Sequence, residues 1–176
     1  LKALTRLAAF RRNLFTGTVV GITGSNGKTT TKEILADMVK DDVTCAYNEK
    51  NFNNIIGVSK SIIAFETTKE CYILEVGTNS PGEIRMLTEL IRPHIALITN
   101  VNPSHLEGLG DVEGVLDEKL DLFRFTMTGG TIIVNADDPA LGPAVTGDPD
   151  RKVLRYGIRE EADFRLSVVN ELGWEG

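Results

Sequence analysis

The sequence predicts an α/β fold in which a mostly parallel sheet is flanked by helices. Strand-sized apolar runs alternate with helical segments of about a dozen residues, the order of successive βαβ units. The runs Thr18–Thr23 and Ile95–Ile98 are continuously apolar over most of their length, which suits strands buried on both faces. Between the first run and the helical period after it stands a Gly-rich turn, Gly24–Gly27, a frequent strand-to-helix junction in such sheets.

The elements follow in order. Leu1, Leu4, Leu7, Ala8 and Leu14 recur at helical spacing, so residues 1–14 read as an amphipathic helix. Thr18–Thr23 reads as a strand, and Lys28–Val39 as a helix with Ile34, Leu35 and Met38 on its apolar face. Val43–Ala46 is a second candidate strand. The polar cluster Asn51, Asn53 and Asn54 starts a helix over Ile55–Phe65. Cys71–Val76 and Ile95–Val101 read as strands around a helix over Gly82–Ile91. Val112–Phe125 is helical and Thr131–Val134 is a strand. The Gly-, Pro- and Asp-rich stretch Gly142–Asp150 reads as a loop. Val153–Tyr156 and Phe164–Val169 read as strands with no helix between them.

Composition narrows the function. A chain of 176 residues has room for one globular domain and little more. Its 41% hydrophobic and 25% charged content excludes a disordered or fibrous chain. No apolar run approaches the ~18 residues of a spanning helix, so no membrane segment is expected. Cys45 and Cys71 allow at most one disulfide and have no metal-ligand spacing, which makes a reduced cytoplasmic setting the default. The net charge of −6 is uneven: residues 1–32 hold six bases and no acid, leaving 13 bases against 25 acids in the rest. That balance argues against a nucleic-acid partner. The acid-free start has some transit-peptide character but is poor in Ser and runs straight into a strand. A peripheral or linker helix is the expectation.

The strongest local signal is Thr23-Gly24-Ser25-Asn26-Gly27-Lys28-Thr29-Thr30, between a strand and a helix. Backbone N–H groups of such a turn, with the helix N-terminus, make an anion cradle. Lys28 would reach outer phosphates and the Thr29 hydroxyl would ligate Mg²⁺. The strict Walker pattern requires Gly where Ile22 stands, so only the shorter G-x-x-G-K-T-T form is present. Glu75 ends a strand that should be parallel, at the edge where open α/β sheets bind ligands. Alone it reads as a solvated edge residue; beside a phosphate loop it reads as a metal ligand. His105, in Asn100-Val101-Asn102-Pro103-Ser104-His105, follows the next strand and can face the same crevice. A neutral imidazole there can reach Mg²⁺, although oxygen ligands are commoner. His94 precedes its strand and reads as structural. Lys119 has Asp117, Glu118 and Asp121 as neighbours, which reads as a solvated helix face. Asn135, in Asn135-Ala136-Asp137-Asp138-Pro139, is either a plain Asx turn or an amide placed against an adenine edge.

Taken together these residues resemble the central ATP-binding domain of the Mur ligases, a P-loop NTPase-like domain of ATP-dependent amide-forming enzymes. The resemblance spans about residues 15–160 and rests on the order of several segments. They are G-S-N-G-K-T-T-T-K at 24–32, N-F-N-N-I-I-G-V at 51–58, E-V-G-T at 75–78, N-V-N-P-S-H-L-E-G-L-G at 100–110, the Lys119 helix and V-N-A-D-D-P at 134–139. Ser25, the Thr-Thr-Lys that follows the loop, and Asn53-Asn54 look most like the branch that adds D-Ala-D-Ala to UDP-MurNAc-tripeptide. Ser59 departs from that branch, which usually has Pro there.

The resemblance implies roles. Gly24, Ser25, Asn26, Gly27, Lys28, Thr29 and Thr30 would form the ATP loop, with Asn54 near the phosphates or substrate and Asn135 on adenine. Thr29 and Glu75 would share one Mg²⁺, and His105 would reach a second. Lys119 aligns with a lysine that relatives carry as a CO₂-derived carbamate, which replaces the solvated-face reading. Lys28, His105 and Lys119 would be the catalytic group. The implied enzyme is an ATP-dependent acid–D-amino-acid ligase of the bacterial cytoplasm, working as a monomer on UDP-MurNAc-tripeptide and D-Ala-D-Ala through an acyl phosphate. Residues 1–16 are expected to be a linker helix from an N-terminal domain. Residues 17–176 are expected to be the central domain, incomplete at its C-terminal side, with a C-terminal ligase domain absent and no amide formation by this piece alone. Alternatives are another Mur-type ligase, such as a tripeptide, cyanophycin or folylpolyglutamate synthetase, or a non-catalytic nucleotide-binding module. Against a guanine-nucleotide switch, no N-K-x-D or T-K-x-D sequence occurs.

Overall fold

The computed structural model describes residues 1–49, 51–103, 109–158 and 162–167. The elements, in chain order, are α1 (Lys2–Leu14), β1 (Thr18–Thr23), α2 (Lys28–Val39), β2 (Cys45–Tyr47), α3 (Ile55–Ala64), β3 (Cys71–Glu75), α4 (Glu83–Ile91), β4 (Ile95–Ile98), α5 (Val112–Arg124), β5 (Thr131–Asn135), α6 (Leu141–Ala144), β6 (Lys152–Gly157) and β7 (Phe164–Arg165). The strands form one sheet in the order β2-β3-β1-β4-β5-β6-β7, with every pair parallel. The order reverses at β1, which lies between β3 and β4. Such a switch point opens a crevice at the carboxyl ends of the strands.

Apolar residues leave both faces of the inner strands to be covered. On one face Val19, Tyr72, Leu74, Ala96, Ile98, Ile132 and Val134 pack against helices through Ala8, Val58, Ile62, Leu87, Ile91, Val115 and Leu122. On the other, Val20, Ile22, Cys71 and Ile73 pack against Ala36, Leu35 and Val39 of α2. α1 is docked, not trailing. Phe15 stacks on Tyr72, and the buried Arg12 guanidinium donates to the carbonyls of Ile91 and Arg92 at the end of α4.

Several expectations are corrected. Of the apolar positions expected to face the core from α2, only Leu35 packs into it, while Ile34 and Met38 are exposed. They line an apolar groove of about 430 Å³ together with Leu97 and Ile133 of the sheet. β4 stops at Ile98 instead of Val101, because Thr99, Asn100 and Asn102 turn polar groups toward the Gly24–Gly27 turn while the Val101 N–H goes to Asp138. The expected loop Gly142–Asp150 begins inside a helical turn, since Asp138 accepts from the N–H groups of Ala140 and Leu141. β6 and β7 continue the same parallel sheet, and the part of the expected last strand beyond residue 167 lies outside the described residues.

Gly24 shows how closely β4 approaches the loop. Its φ is +152°, and a Cβ built there would lie 1.8 Å from Thr99 Oγ1. Gly24→Ala should therefore destabilise the fold by about 1–3 kcal/mol from backbone strain alone, measured as a lower urea midpoint. An unchanged midpoint would contradict the close approach.

Candidate active site

The site grows from the register of the central strands. Ile22 of β1 pairs with Glu75 of β3, and Thr23 pairs with Ile98 of β4. The carboxyl ends of three strands thus surround the turn that follows β1. That turn enters α2 through Gly27, whose φ is +77° and which supplies no side-chain cap. The first N–H groups of a helix have no intrahelical partners and carry its positive dipole end. Here they face the crevice without a competing cap.

Lys28 folds back over this turn, donating from Nζ to the carbonyls of Gly24 at 2.8 Å and Ser25 at 3.4 Å. Burial lowers its pKa from the ordinary value, and Glu75 acts in the opposite sense. Thr29 Oγ1 donates to Glu75 Oε2 at 2.7 Å. The other carboxylate oxygen accepts from Asn53 Nδ2 at 2.8 Å, and the Asn53 carbonyl accepts from the Gly77 N–H. Asn54 caps α3 by accepting from the Gly57 N–H. From the β4 side, Asn100 brackets Asn26, accepting from its N–H at 3.0 Å and donating to its carbonyl at 3.1 Å. Thr99 Oγ1 donates to the same carbonyl, and Ser25 Oγ donates to the carbonyl of Asn102.

A polar cavity of about 200 Å³ opens beside the loop, lined by Lys28, Asn51, Asn53, Asn54, Gly77, Thr78, Asn79 and Lys119. Lys119 is 2% exposed, so it does not lie on the solvated face that its charged neighbours alone suggest. Burial first, and the Lys28 charge second, push its pKa down to about 8, with Glu118 acting in the opposite sense. Glu118 is also buried. Its carboxylate accepts from the N–H groups of Gly82 at 2.7 Å and Ile84 at 2.8 Å and from Thr78 Oγ1 at 3.2 Å. It therefore caps α4 from a neighbouring helix and holds the loop that carries Thr78 and Asn79. Asp117 and Asp121 do remain on the outer face, paired with Arg124. The spacing Val115, Glu118, Lys119, Leu122 is that of an apolar helix face. Two charges on that face were the signal of burial.

The remaining expected residues fall as follows. Asn135 forms an Asx turn, accepting from the Asp137 N–H at 3.1 Å, while its amide donates to the Thr99 carbonyl at 2.9 Å. His94 accepts from the Val19 N–H through Nδ1 at 3.0 Å, at the far end of the sheet from the crevice, in a structural role. His105 lies outside the described residues. Sequence reasoning missed Asn48, Thr99 and the clamp made by Asn100. These act through side-chain bonds to distant backbone, which leave no periodic trace.

Comparison with known proteins places this geometry. Residues 22–174 match the Mur ligase middle domain. The UDP-N-acetylmuramoyl-tripeptide–D-alanyl-D-alanine ligase of Bacillus subtilis is 35% identical over 172 residues, covering 97% of this chain and 36% of that protein. Among solved structures, MurF from Acinetobacter baumannii superposes with a TM-score of 0.83 at 29% identity, covering 88% of this chain and 34% of that one. The MurF ligase from Thermotoga maritima in complex with ADP gives 0.81 at 32% identity, covering 89% and 36%. The chain thus spans about a third of the length of the relatives it matches.

Glu118→Ala would leave the N–H groups of Gly82 and Ile84 without their acceptor, at about 1–3 kcal/mol for the buried Ile84 donor and less for Gly82, which solvent can reach. The expected outcome is a clear drop in the denaturant midpoint. A wild-type midpoint would refute the capping role.

Proposed function

This chain belongs to the Mur ligase family, and we propose that it is the ATP-binding portion of a ligase that joins D-Ala-D-Ala to UDP-MurNAc-tripeptide. The observation that carries this reading is the 2.7 Å contact between the Thr29 hydroxyl and the Glu75 carboxylate. It lies at the foot of a phosphate loop whose Lys28 shares a cavity with the buried Lys119. The likeness to the named ligases supports the choice of substrates. The same reading implies a bacterial cytoplasmic enzyme that acts as a monomer on small molecules. Among the described residues no helix is long and apolar enough to cross a membrane.

In this account the ATP phosphates lie over the N-terminus of α2, held by the N–H groups of Lys28, Thr29 and Thr30. Lys28 exchanges its bonds to the Gly24 and Ser25 carbonyls for outer phosphate oxygens. The tripeptide carboxylate enters the polar cavity near Asn54 and attacks the γ-phosphorus, giving an acyl phosphate and ADP. The amine of D-Ala-D-Ala then attacks the acyl carbon, loses a proton and expels phosphate. Lys28 offsets repulsion between the incoming carboxylate and the triphosphate. Asn135 approaches adenine with the donor and acceptor capacity its Asx turn leaves.

Thr29 and Glu75, with His105 and Lys119 as its carbamate, would hold magnesium, which when bound supplies charge neutralisation at the transferring phosphoryl group. The donor set fits: a hydroxyl and a carboxylate are hard oxygen ligands, and Mg²⁺ typically takes one or two carboxylates plus substrate phosphates. Among the described residues no group of three or more His, Cys, Asp and Glu side chains forms a closed protein cage. Lys119 suits carbamate formation, in which a neutral amine adds to CO₂ and releases a proton, because its depressed pKa enlarges the neutral fraction.

In the full-length protein, ADP release should require both the tripeptide substrate and D-Ala-D-Ala. Turnover with an amino acid and none with D-Ala-D-Ala would assign the chain to another Mur-type ligase, and preference for GTP would overturn the ligase reading. Lys119→Ala should abolish turnover, with partial rescue by short carboxylates such as acetate. Unchanged activity would remove the carbamate. The sign of the pH effect follows from the lowered pKa. At fixed dissolved CO₂, recovery of CO₂-stripped enzyme should quicken as pH rises through about 8 and level off above it. A recovery rate independent of pH would contradict the role of the neutral amine.

A further inference from the structure

Asn48 stands directly after β2 and is fully buried, at 0% exposure. Both ends of its side-chain amide are engaged at Glu75. Its Oδ1 accepts from the Glu75 N–H at 2.8 Å, and its Nδ2 donates to the Glu75 carbonyl at 2.9 Å. The same Nδ2 donates to the carbonyl of Phe52 at 2.8 Å. Phe52 immediately precedes Asn53, the residue that donates to the Glu75 carboxylate. The Asn48 carbonyl accepts from Lys32 Nζ at 2.6 Å, and Lys32 is 1% exposed. β2 ends at Tyr47, opposite Ile73, so the side-chain amide of Asn48 takes over the pairing that a longer β2 would have given. It does so at the residue whose carboxylate faces the phosphate loop.

From this geometry we infer that Asn48 is a positioning residue for the Glu75 carboxylate, anchored on Lys32 and acting on both supports of that carboxylate at once. This deepens the proposed function and rests on its reading of Glu75 as a ligand of nucleotide-bound magnesium. One amide fixes the main chain of Glu75 and the segment that brings Asn53 to its Oε1. Loss of that amide would free both, so the carboxylate would spend less time at the Thr29 hydroxyl. Partners that orient a ligand from behind typically contribute about 10–100-fold in metal affinity or activity. A residue that only completes a strand would weaken the fold without selecting the metal-dependent part of binding.

The test compares ADP binding by the full-length protein with and without Mg²⁺, by calorimetry, in wild type, Asn48→Ser and Asn48→Thr. Both replacements are uncharged, and Thr keeps more of the volume if Ser unfolds the protein. The expected result is metal-free ADP affinity within about twofold of wild type and a loss of about tenfold in the Mg²⁺-dependent gain. Equal losses with and without metal, or no loss, would overturn the inference. A second measurement needs no variant: the Asn48 side-chain amide protons should shift in the NMR spectrum when Mg²⁺ is added to the wild-type ADP complex. Unmoved resonances would count against it. If wild type binds ADP in a Mg²⁺-dependent way but forms no amide, the ligase reading fails and the comparison for Asn48 still stands. If ADP binding ignores Mg²⁺ altogether, the inference falls.

Discussion

β1 is paired in parallel with β3 on one side and β4 on the other, and that placement decides what the phosphate loop meets. Pairing of Ile22 with Glu75 sets the end of β3 level with the start of the turn, so the Thr29 hydroxyl arrives at the Glu75 carboxylate. Pairing of Thr23 with Ile98 delivers Thr99 and Asn100 to Asn26 from the opposite side. A slip of one residue would turn every side chain of a strand to the other face. The two covered faces of the sheet oppose such a slip, so packing far from the crevice holds its geometry.

The same edge of the sheet gathers buried charge. Lys32, Glu75, Glu118 and Lys119 are all nearly inaccessible, and an unpaired ion in such a place costs several kcal/mol. Among the described residues, Glu75 and Glu118 offset that cost with donated hydrogen bonds rather than with salt bridges. Hydrogen bonds leave the carboxylate charge unneutralised and available to a cation. Glu118 spends its charge on the N-terminus of α4, which fixes the loop through Thr78. Lys119, its neighbour on α5, keeps its amine toward the cavity with a depressed pKa. Two adjacent residues on one helix face thus serve a wall of the cavity and its interior.

Much of the architecture was legible because it is periodic or locally signalled. Continuous apolar runs marked the inner strands, and the Gly-Lys-Thr turn marked the junction of β1 and α2. The juxtaposition of Thr29 and Glu75 followed from assuming parallel strands. Glu118 and Lys119 were misread at first from their charged neighbours, although the spacing from Val115 to Leu122 placed both on the inward face. Ile34 and Met38 were misread the opposite way, since helical period says which residues share a face and not whether another element covers it. Asn48 left no signal, and Asn100 was legible as the start of the segment at 100–110 but not as a clamp. Each clamps the backbone of one residue far away in sequence, and only the folded chain brings donor and acceptor together.

The central claim is that Thr29 and Glu75 act through one shared cation on the nucleotide. A double-mutant cycle on Mg²⁺-dependent ADP binding, with Thr29→Val, Glu75→Gln and both together in the full-length protein, tests it most directly. A shared ion makes the two residues interdependent, so the double variant should bind little worse than the weaker single variant, with strong coupling between the sites. Losses that simply add would mean the two side chains act separately, and would contradict the account.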